Sequence, residues 1–220
     1  MKLSLIITGA TGMVGEGVLL EALASPDVER VLVLGRRSCG MTHPKLTEIV
    51  HPNLYDLSSI ESQLAGYNAC LFCLGSTSVG KTAEEYRRLT YDLTMHVAET
   101  LARLNPEMTF CYISGKGTDS TEQGRLAWAR VKGKVENDLR KLPFKASYGI
   151  RPGLIQATPG QKNLLPAYRY FAWLYPVVRF LAPGSACTMK ELGRAMLRVA
   201  RDGYPKPVLE VADIVELGKE

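Results

Sequence analysis

Eight residues near the start of the chain, Thr8-Gly-Ala-Thr-Gly-Met-Val-Gly15, leave little choice of fold. They follow Lys2 to Ile7, an apolar and β-branched run, and lead into Val14, Val18, Leu19, Leu20 and Leu23, apolar positions spaced for a helix that Pro26 ends. A strand, a glycine turn and a helix in that order present unpaired backbone N–H groups at the positive end of a helix dipole, the setting in which a dinucleotide pyrophosphate binds. Residues without a Cβ let the phosphates approach. The contact residues expected from this stretch are Gly9, Thr11, Gly12, Met13, Val14 and Gly15, with the spacing Gly-x-x-Gly-x-x-Gly.

The rest of the chain alternates short apolar runs with helical patterns. Val31 to Leu34 reads as a second strand, buried on both faces, and Gly35-Arg36-Arg37 follows it. A carboxylate about 20 residues beyond the glycines would select NAD through the ribose 2′-hydroxyl. None stands here. Arg36 and Arg37 stand there instead, and two guanidinium forks suit a 2′-phosphate, so the expected cofactor is NADP(H); solvated loop arginines are the plainer alternative. Leu46 to Val50 is a third strand, closed by Asn53 to Leu57, where Asp56 either touches the adenine or caps a turn before a helix from Ser58 or Ser59.

Ala69 to Leu74 is the fourth strand, and Leu74, Gly75 and the loop to Lys81 should line the ligand at the strands' carboxyl edge. Gly80-Lys81-Thr82 lacks the earlier glycine of a P-loop, which excludes nucleotide triphosphatase chemistry. A helix over about 83–104, a strand over 108–114, a helix over about 125–142 and a strand over 146–150, stopped by Arg151-Pro152-Gly153, complete the pattern. It predicts a Rossmann-type, doubly wound parallel sheet in three layers, one unit over 1–220, with a cofactor core over about 1–153 and substrate-side helical elements over 154–220.

The net charge of +5 is scattered, which argues against a nucleic-acid groove. Cys70-x-x-Cys73 falls in a strand-like run, where residues three apart point to opposite faces; with no matching Cys or His pair it reads as core and not as a metal site. His43, His51 and His96 are dispersed, so no metal site or serine triad is expected. No basic leader with a cleavage pattern is visible, and the reading is cytoplasmic.

Five segments together resemble a known family: 8–15, Leu-Gly-Arg-Arg at 34–37, Cys-Leu-Gly-Ser-Thr at 73–77, Val-Lys-Gly-Lys-Val-Glu at 131–136 and Arg-Pro-Gly at 151–153. They are similar to atypical short-chain dehydrogenases close to the Tat-interacting-protein oxidoreductases and their bacterial epimerase-like relatives. The resemblance implies NADP(H) binding, with Gly75 near the adenosine side and Pro152 near the nicotinamide. It also implies a Tyr-x-x-x-Lys pair one helical turn apart, in which the lysine lowers the phenol pKa and holds the nicotinamide ribose.

Lys132 keeps its place in this motif, but Trp128 occupies the tyrosine position, and an indole is a donor only. Trp128 is either core packing or a flat wall to the pocket. The family's active-site serine falls on Ser114 or Gly115. Lys116, Tyr86, Tyr91 and Tyr112 are the substitutes for the missing acid that the sequence offers. The expected function is therefore oxidoreduction of a small carbonyl or alcohol, or NADP(H) binding without chemistry as a redox sensor or protein-interaction module.

Between Leu164 and Pro183 lie Tyr168, Tyr170, Phe171, Trp173, Tyr175 and Phe180 with Arg169 and Arg179, too interrupted by Pro166 and Pro176 to span a bilayer. A lid over substrate, a homodimer contact and an interfacial membrane helix compete, in that order. Thr188 to Glu191 reads as a capping box opening a helix to about Arg201, and 207–211 as a last strand.

Overall fold

The computed structural model describes residues 2–164 and 174–219. Strand β1 (Leu3–Thr8) is buried at all six positions, as a strand covered on both faces must be, and it lies in the middle of the sheet. Beyond it on one side stand β2 (Val28–Gly35) and β3 (Leu46–Val50); on the other stand β4 (Ala69–Phe72), β5 (Thr109–Ile113) and β6 (Ala146–Ile150). Two short strands, β7 (Leu154–Gln156) and β8 (Ala186–Thr188), pair apart from it, and β9 (Val208–Leu209) closes the main sheet. The order β3-β2-β1-β4-β5-β6-β9, parallel throughout, is the Rossmann-type doubly wound topology.

Alternate side chains of each strand feed two cores. Leu5 and Ile7 point to one face, where they meet α1 (Met13–Ala24) through Val18 and Leu19; Ile6 points to the other. The second face is covered by α2 (Glu61–Leu64), α4 (Leu93–Leu104) and α5 (Ala127–Leu139), with Leu64, Leu101 and Val135 packed on Phe72, Phe110 and Tyr112. The Phe72 and Phe110 rings stack at 5.7 Å. On the first face α1 is joined by α7 (Met189–Asp202) and α8 (Val211–Leu217). Cys70 enters the second core and Cys73 packs against the first, the opposite-face arrangement that strand geometry requires.

Three departures from the sequence pattern have physical causes. The helix expected over 83–104 is α3 (Ala83–Arg87), a π-type turn at Arg88–Asp92 and then α4, because the chain fits one wider turn without breaking the helical run. The helix expected from Ser58 or Ser59 shrinks to a 3-10 turn, Ser58–Ile60, followed by the four residues of α2. The last strand keeps only two residues, because Glu210 turns from strand to cap and opens α8. The Thr188 capping box is present, with Thr188 Oγ1 accepting from the Glu191 N–H at 3.0 Å.

Of the aromatic stretch, Pro166, Tyr168, Arg169, Tyr170, Phe171 and Trp173 lie outside the described residues. Its remainder forms α6 (Tyr175–Leu181), in which Tyr175 is buried while Phe180 and Leu181 face solvent. No described helix is long and apolar enough to cross a membrane.

Candidate functional site

Strands β1 and β4 are neighbours across which the chain reverses its progress through the sheet, so the loops at their carboxyl ends part and leave a crevice. The crevice has a volume of about 240 Å3 and is lined by Gly9 to Gly12, Val33, Gly35, Arg36, Arg37 and Cys73 to Gly75. The three glycines do different work there. Gly9 has a φ of +73°, and a Cβ on it would stand 2.7 Å from the Cys73 carbonyl group. A Cβ on Gly15 would stand 2.1 Å from Gly9 O. These two glycines let the turn, the helix and the end of β4 close on one another. Gly12 is different: an added Cβ would meet only Gly9 O, at 3.4 Å, and its exposed Cα faces the crevice.

Gly12 is also the N-cap of α1, and no side chain caps that end. The first backbone N–H groups of the helix are left for a ligand, as a phosphate cradle needs. At the far edge Arg36 and Arg37 are exposed, and neither makes an ion pair among the described residues. The residues present therefore fit a nicotinamide dinucleotide: an open cradle at one end and, at the other, two guanidinium groups with no ion pair among the described residues. Asp56 stands outside this lining, where Oδ1 accepts from the Ser58 N–H at 3.1 Å and the Ser58 hydroxyl at 2.7 Å, and those bonds hold its carboxyl below the usual range. Leu57 beside it is buried.

The loop leaving β4 joins this crevice to a second hollow. Cys73 to Gly75 wall the first; Ser78, Lys81 and Thr82, with Ala83, Tyr86, Ala127, Trp128 and Val131, enclose the second, of about 180 Å3. Trp128 is half-buried in the first turn of α5, and its ring lies over Gly117, where a Cβ would meet it in ordinary contact at 3.4 Å but the φ of +87° favours glycine. Lys132 lies one turn on. Its Nζ donates to Ser114 O at 2.5 Å, and burial pulls the amine down to about 8 against the opposing pull of Glu136.

Ser114 is 1% exposed. Its hydroxyl donates to Glu136 Oε1 at 2.5 Å, so it is spent on the interior and not on the crevice. Glu136 in turn accepts from Arg151 at 3.0 Å and 2.5 Å, and Arg151 reaches on to Glu210 and Ser120. Pro152 is buried, and its carbonyl accepts from the Lys116 N–H at 2.9 Å. Among the other candidate acids, Lys116 Nζ is held by Gly184 O and Ser185 Oγ, Tyr91 donates to Asp138 at 2.6 Å, and Tyr112 lies under the sheet at 1% exposure. Tyr86 alone of these reaches the hollow beside Trp128.

The sequence reading missed the Glu136–Arg151 pair. It also missed Glu16, whose two oxygens accept the Lys162 and Asn163 N–H groups, and Gln161, whose amide donates to Met13 O at 2.8 Å. Together they tie the loop after β7 to the first turn of α1. A larger hollow of about 320 Å3 between α1 and α7 has its charges answered internally, Arg194 by Glu21 and Arg201 by Asp27.

Fold and crevice together define an α/β protein of the dinucleotide-binding class of folds, and solved structures with the same fold are dehydrogenases and epimerases. A UDP-N-acetylglucosamine 4-epimerase from Methanobrevibacter ruminantium superposes over 98% of this chain and 81% of its own, with a TM-score of 0.68 and 18% identity. The NADPH-bound carbonyl reductase from chicken fatty liver superposes over 97% and 94%, with a TM-score of 0.60 and 15% identity. In sequence the chain is similar to a protein of Emericella nidulans named "Protein fmp52, mitochondrial", 28% identical over 232 residues that cover 97% of this chain and 98% of that one. No family model matches the chain.

The names of the curated relatives place them in mitochondria, and this overturns the cytoplasmic reading. That reading rested on a missing secretory leader, which does not separate the cytoplasm from the interior of an organelle.

Proposed function

We propose that this chain binds NADP(H) in the β1–β4 crevice and uses it to oxidise or reduce a small carbonyl or alcohol substrate. The observation that carries the reading is the uncapped N-terminus of α1 facing two arginines that make no ion pair among the described residues, across one crevice. The backbone from Gly9 and Thr11 to Met13, Val14 and Gly15 would cradle the pyrophosphate, while Arg36 and Arg37 would fork the 2′-phosphate. Leu74 and Gly75 border the adenosine half in this assignment, with Asp56 and Leu57 beyond the lining; Lys132 would hold the nicotinamide ribose, with Pro152 behind the ring. The bound dinucleotide supplies or accepts a hydride. Trp128 and the hollow beside it lie at the far end of the same β4 loop, which suits a site for the reacting carbonyl.

A second reading, binding without chemistry, is favoured by one observation: the two side chains at the resemblance's catalytic positions are an indole and a hydroxyl already bonded to Glu136. Replacing Arg36 and Arg37 by alanine separates cofactor choice from both readings. Each guanidinium–phosphate hydrogen bond contributes about 1.5 to 3 kcal/mol, so NADPH affinity should fall by at least tenfold while NADH affinity holds. Fluorescence titration measures it. Equal loss for both nucleotides refutes the phosphate assignment, and a native chain that binds neither refutes the proposal.

A further inference from the structure

The substitution of Trp128 for a phenol leaves the question of where a proton would come from, and the hollow of about 180 Å3 answers it with another side chain. We propose that Tyr86 is the proton donor of this site, its phenol standing across the hollow from the Trp128 indole, with the Thr90 hydroxyl placed to donate a hydrogen bond to the phenolate that is left behind. The inference rests on the reduction chemistry proposed above.

Three observations carry it. Tyr86 is 4% exposed, and the hollow is the space it borders. The competing phenols are spent or sealed, Tyr91 on Asp138 and Tyr112 under the sheet. Thr90, one turn beyond Tyr86, sits inside the π-type turn, and its Oγ1 is buried with no hydrogen-bond partner among the described residues. A buried hydroxyl left unpaired costs about 1 to 3 kcal/mol.

A phenolate at Tyr86 would supply the missing acceptor. Burial pushes the Tyr86 phenol up, and the Thr90 hydroxyl opposes that push. The other titratable groups around it are Lys81 across the hollow and Tyr112 from β5.

At roughly 30 Å3 for each water-sized group, the hollow holds about six non-hydrogen atoms, the size of a short ketone, diketone or cyclic ketone. In the reduction direction a hydride forms the new C–H bond at the carbonyl carbon, the π pair passes to oxygen, and the Tyr86 O–H bond breaks to protonate that oxygen. The phenolate holds the Thr90 hydrogen bond until water entering the hollow returns a proton. Lys132 takes no part in this transfer, since its Nζ is directed to Ser114 O.

The first test needs no cofactor. With tyrosine labelled at the ring carbon that bears oxygen, the signal that vanishes in Tyr86→Phe is titrated by NMR, and Thr90→Val should move its midpoint upward by half a pH unit or more. An unmoved midpoint overturns the Thr90 role. The second test is turnover of 2,3-butanedione, 2-pentanone and cyclopentanone with NADPH. Tyr86→Phe should lower kcat by about 100-fold or more, as loss of a positioned acid does, with NADPH affinity within twofold of native. Trp128→Tyr added to Tyr86→Phe should restore much of it by putting a phenol back one turn before Lys132.

Retention of kcat in Tyr86→Phe, with a melting temperature like that of the native chain, overturns the proposal. So does a native chain that binds NADPH yet reduces none of the three carbonyls, a result that leaves the binding reading standing. A chain that fails to bind NADPH fails the earlier proposal instead.

Discussion

Lys132 is the residue at which function and stability pull against each other, and the conflict can be measured. Burial lowers its amine from 10.5 to about 8, which at 1.36 kcal/mol per pH unit is a cost of about 3 kcal/mol for keeping the proton in the folded chain. Below pH 8 both folded and unfolded chains hold that proton, and the full cost is present. Between pH 8 and 10.5 the unfolded chain keeps the proton while the folded chain has released it, so stability rises with pH. Above 10.5 both are neutral and the cost is gone.

Lys132→Met removes the titration altogether. The difference in unfolding free energy, native minus variant, should therefore climb by about 3 kcal/mol from pH 7 to pH 10.5, read from urea unfolding followed by circular dichroism at each pH. The tyrosines and thiols are the same in both chains and cancel in the difference. Loss of the Nζ bond to Ser114 O offsets the curve without tilting it. Parallel curves for native and variant refute the reasoning, and a falling difference reverses its sign.

The interior pair behaves differently. Glu136→Ala leaves the Arg151 guanidinium with only Glu210 and Ser120 and should cost up to about 3 to 5 kcal/mol in urea unfolding, whereas Glu136→Leu with Arg151→Met should recover most of it; an additive pair of single losses refutes the coupling. The glycines should divide by role. Gly15→Ala, whose Cβ would press on Gly9 O at 2.1 Å, should lower the melting temperature, while Gly12→Ala should leave it nearly unchanged and weaken NADPH, both read by thermal melts and fluorescence titration. Thr188→Ala should cost about 1 kcal/mol through loss of the α7 cap, with no effect on nucleotide affinity.

Which of these features the sequence reveals depends on how local their causes are. The glycine turn is legible because three backbone positions and the runs on either side define it within a dozen residues. The helical register of Trp128 and Lys132 is legible for the same reason, four positions on one face. Glu136 and Arg151 are not, since one belongs to a helix and the other follows a strand, and only the packing of α5 over β6 shows that they meet. Glu16 and the 162–163 backbone are farther apart still, 146 and 147 positions along the chain. The π-type turn is hidden for another reason: one extra residue in a helical run of this length barely disturbs the apolar spacing. Strands of two or three residues, such as β7 to β9, are too short to show a period at all.

The same packing explains why an indole is tolerated where the resemblance calls for a phenol. The seat of α5 is fixed along its length and not by residue 128, because a Cβ on Gly133 would stand 1.8 Å from Asp119 O and one on Gly149 2.5 Å from the Glu136 carboxylate. With the helix pressed that closely against the Asp119 turn and β6, Lys132 reaches Ser114 O whatever precedes it by a turn. The tyrosine position is thus free to change without moving the lysine, and a larger ring there must fill space on the pocket side, above Gly117. Trp128 thereby becomes a wall of the hollow that Tyr86 borders from the opposite helix. On the proposal above, the scaffold that holds Lys132 is independent of the acid, which stands on the opposite helix.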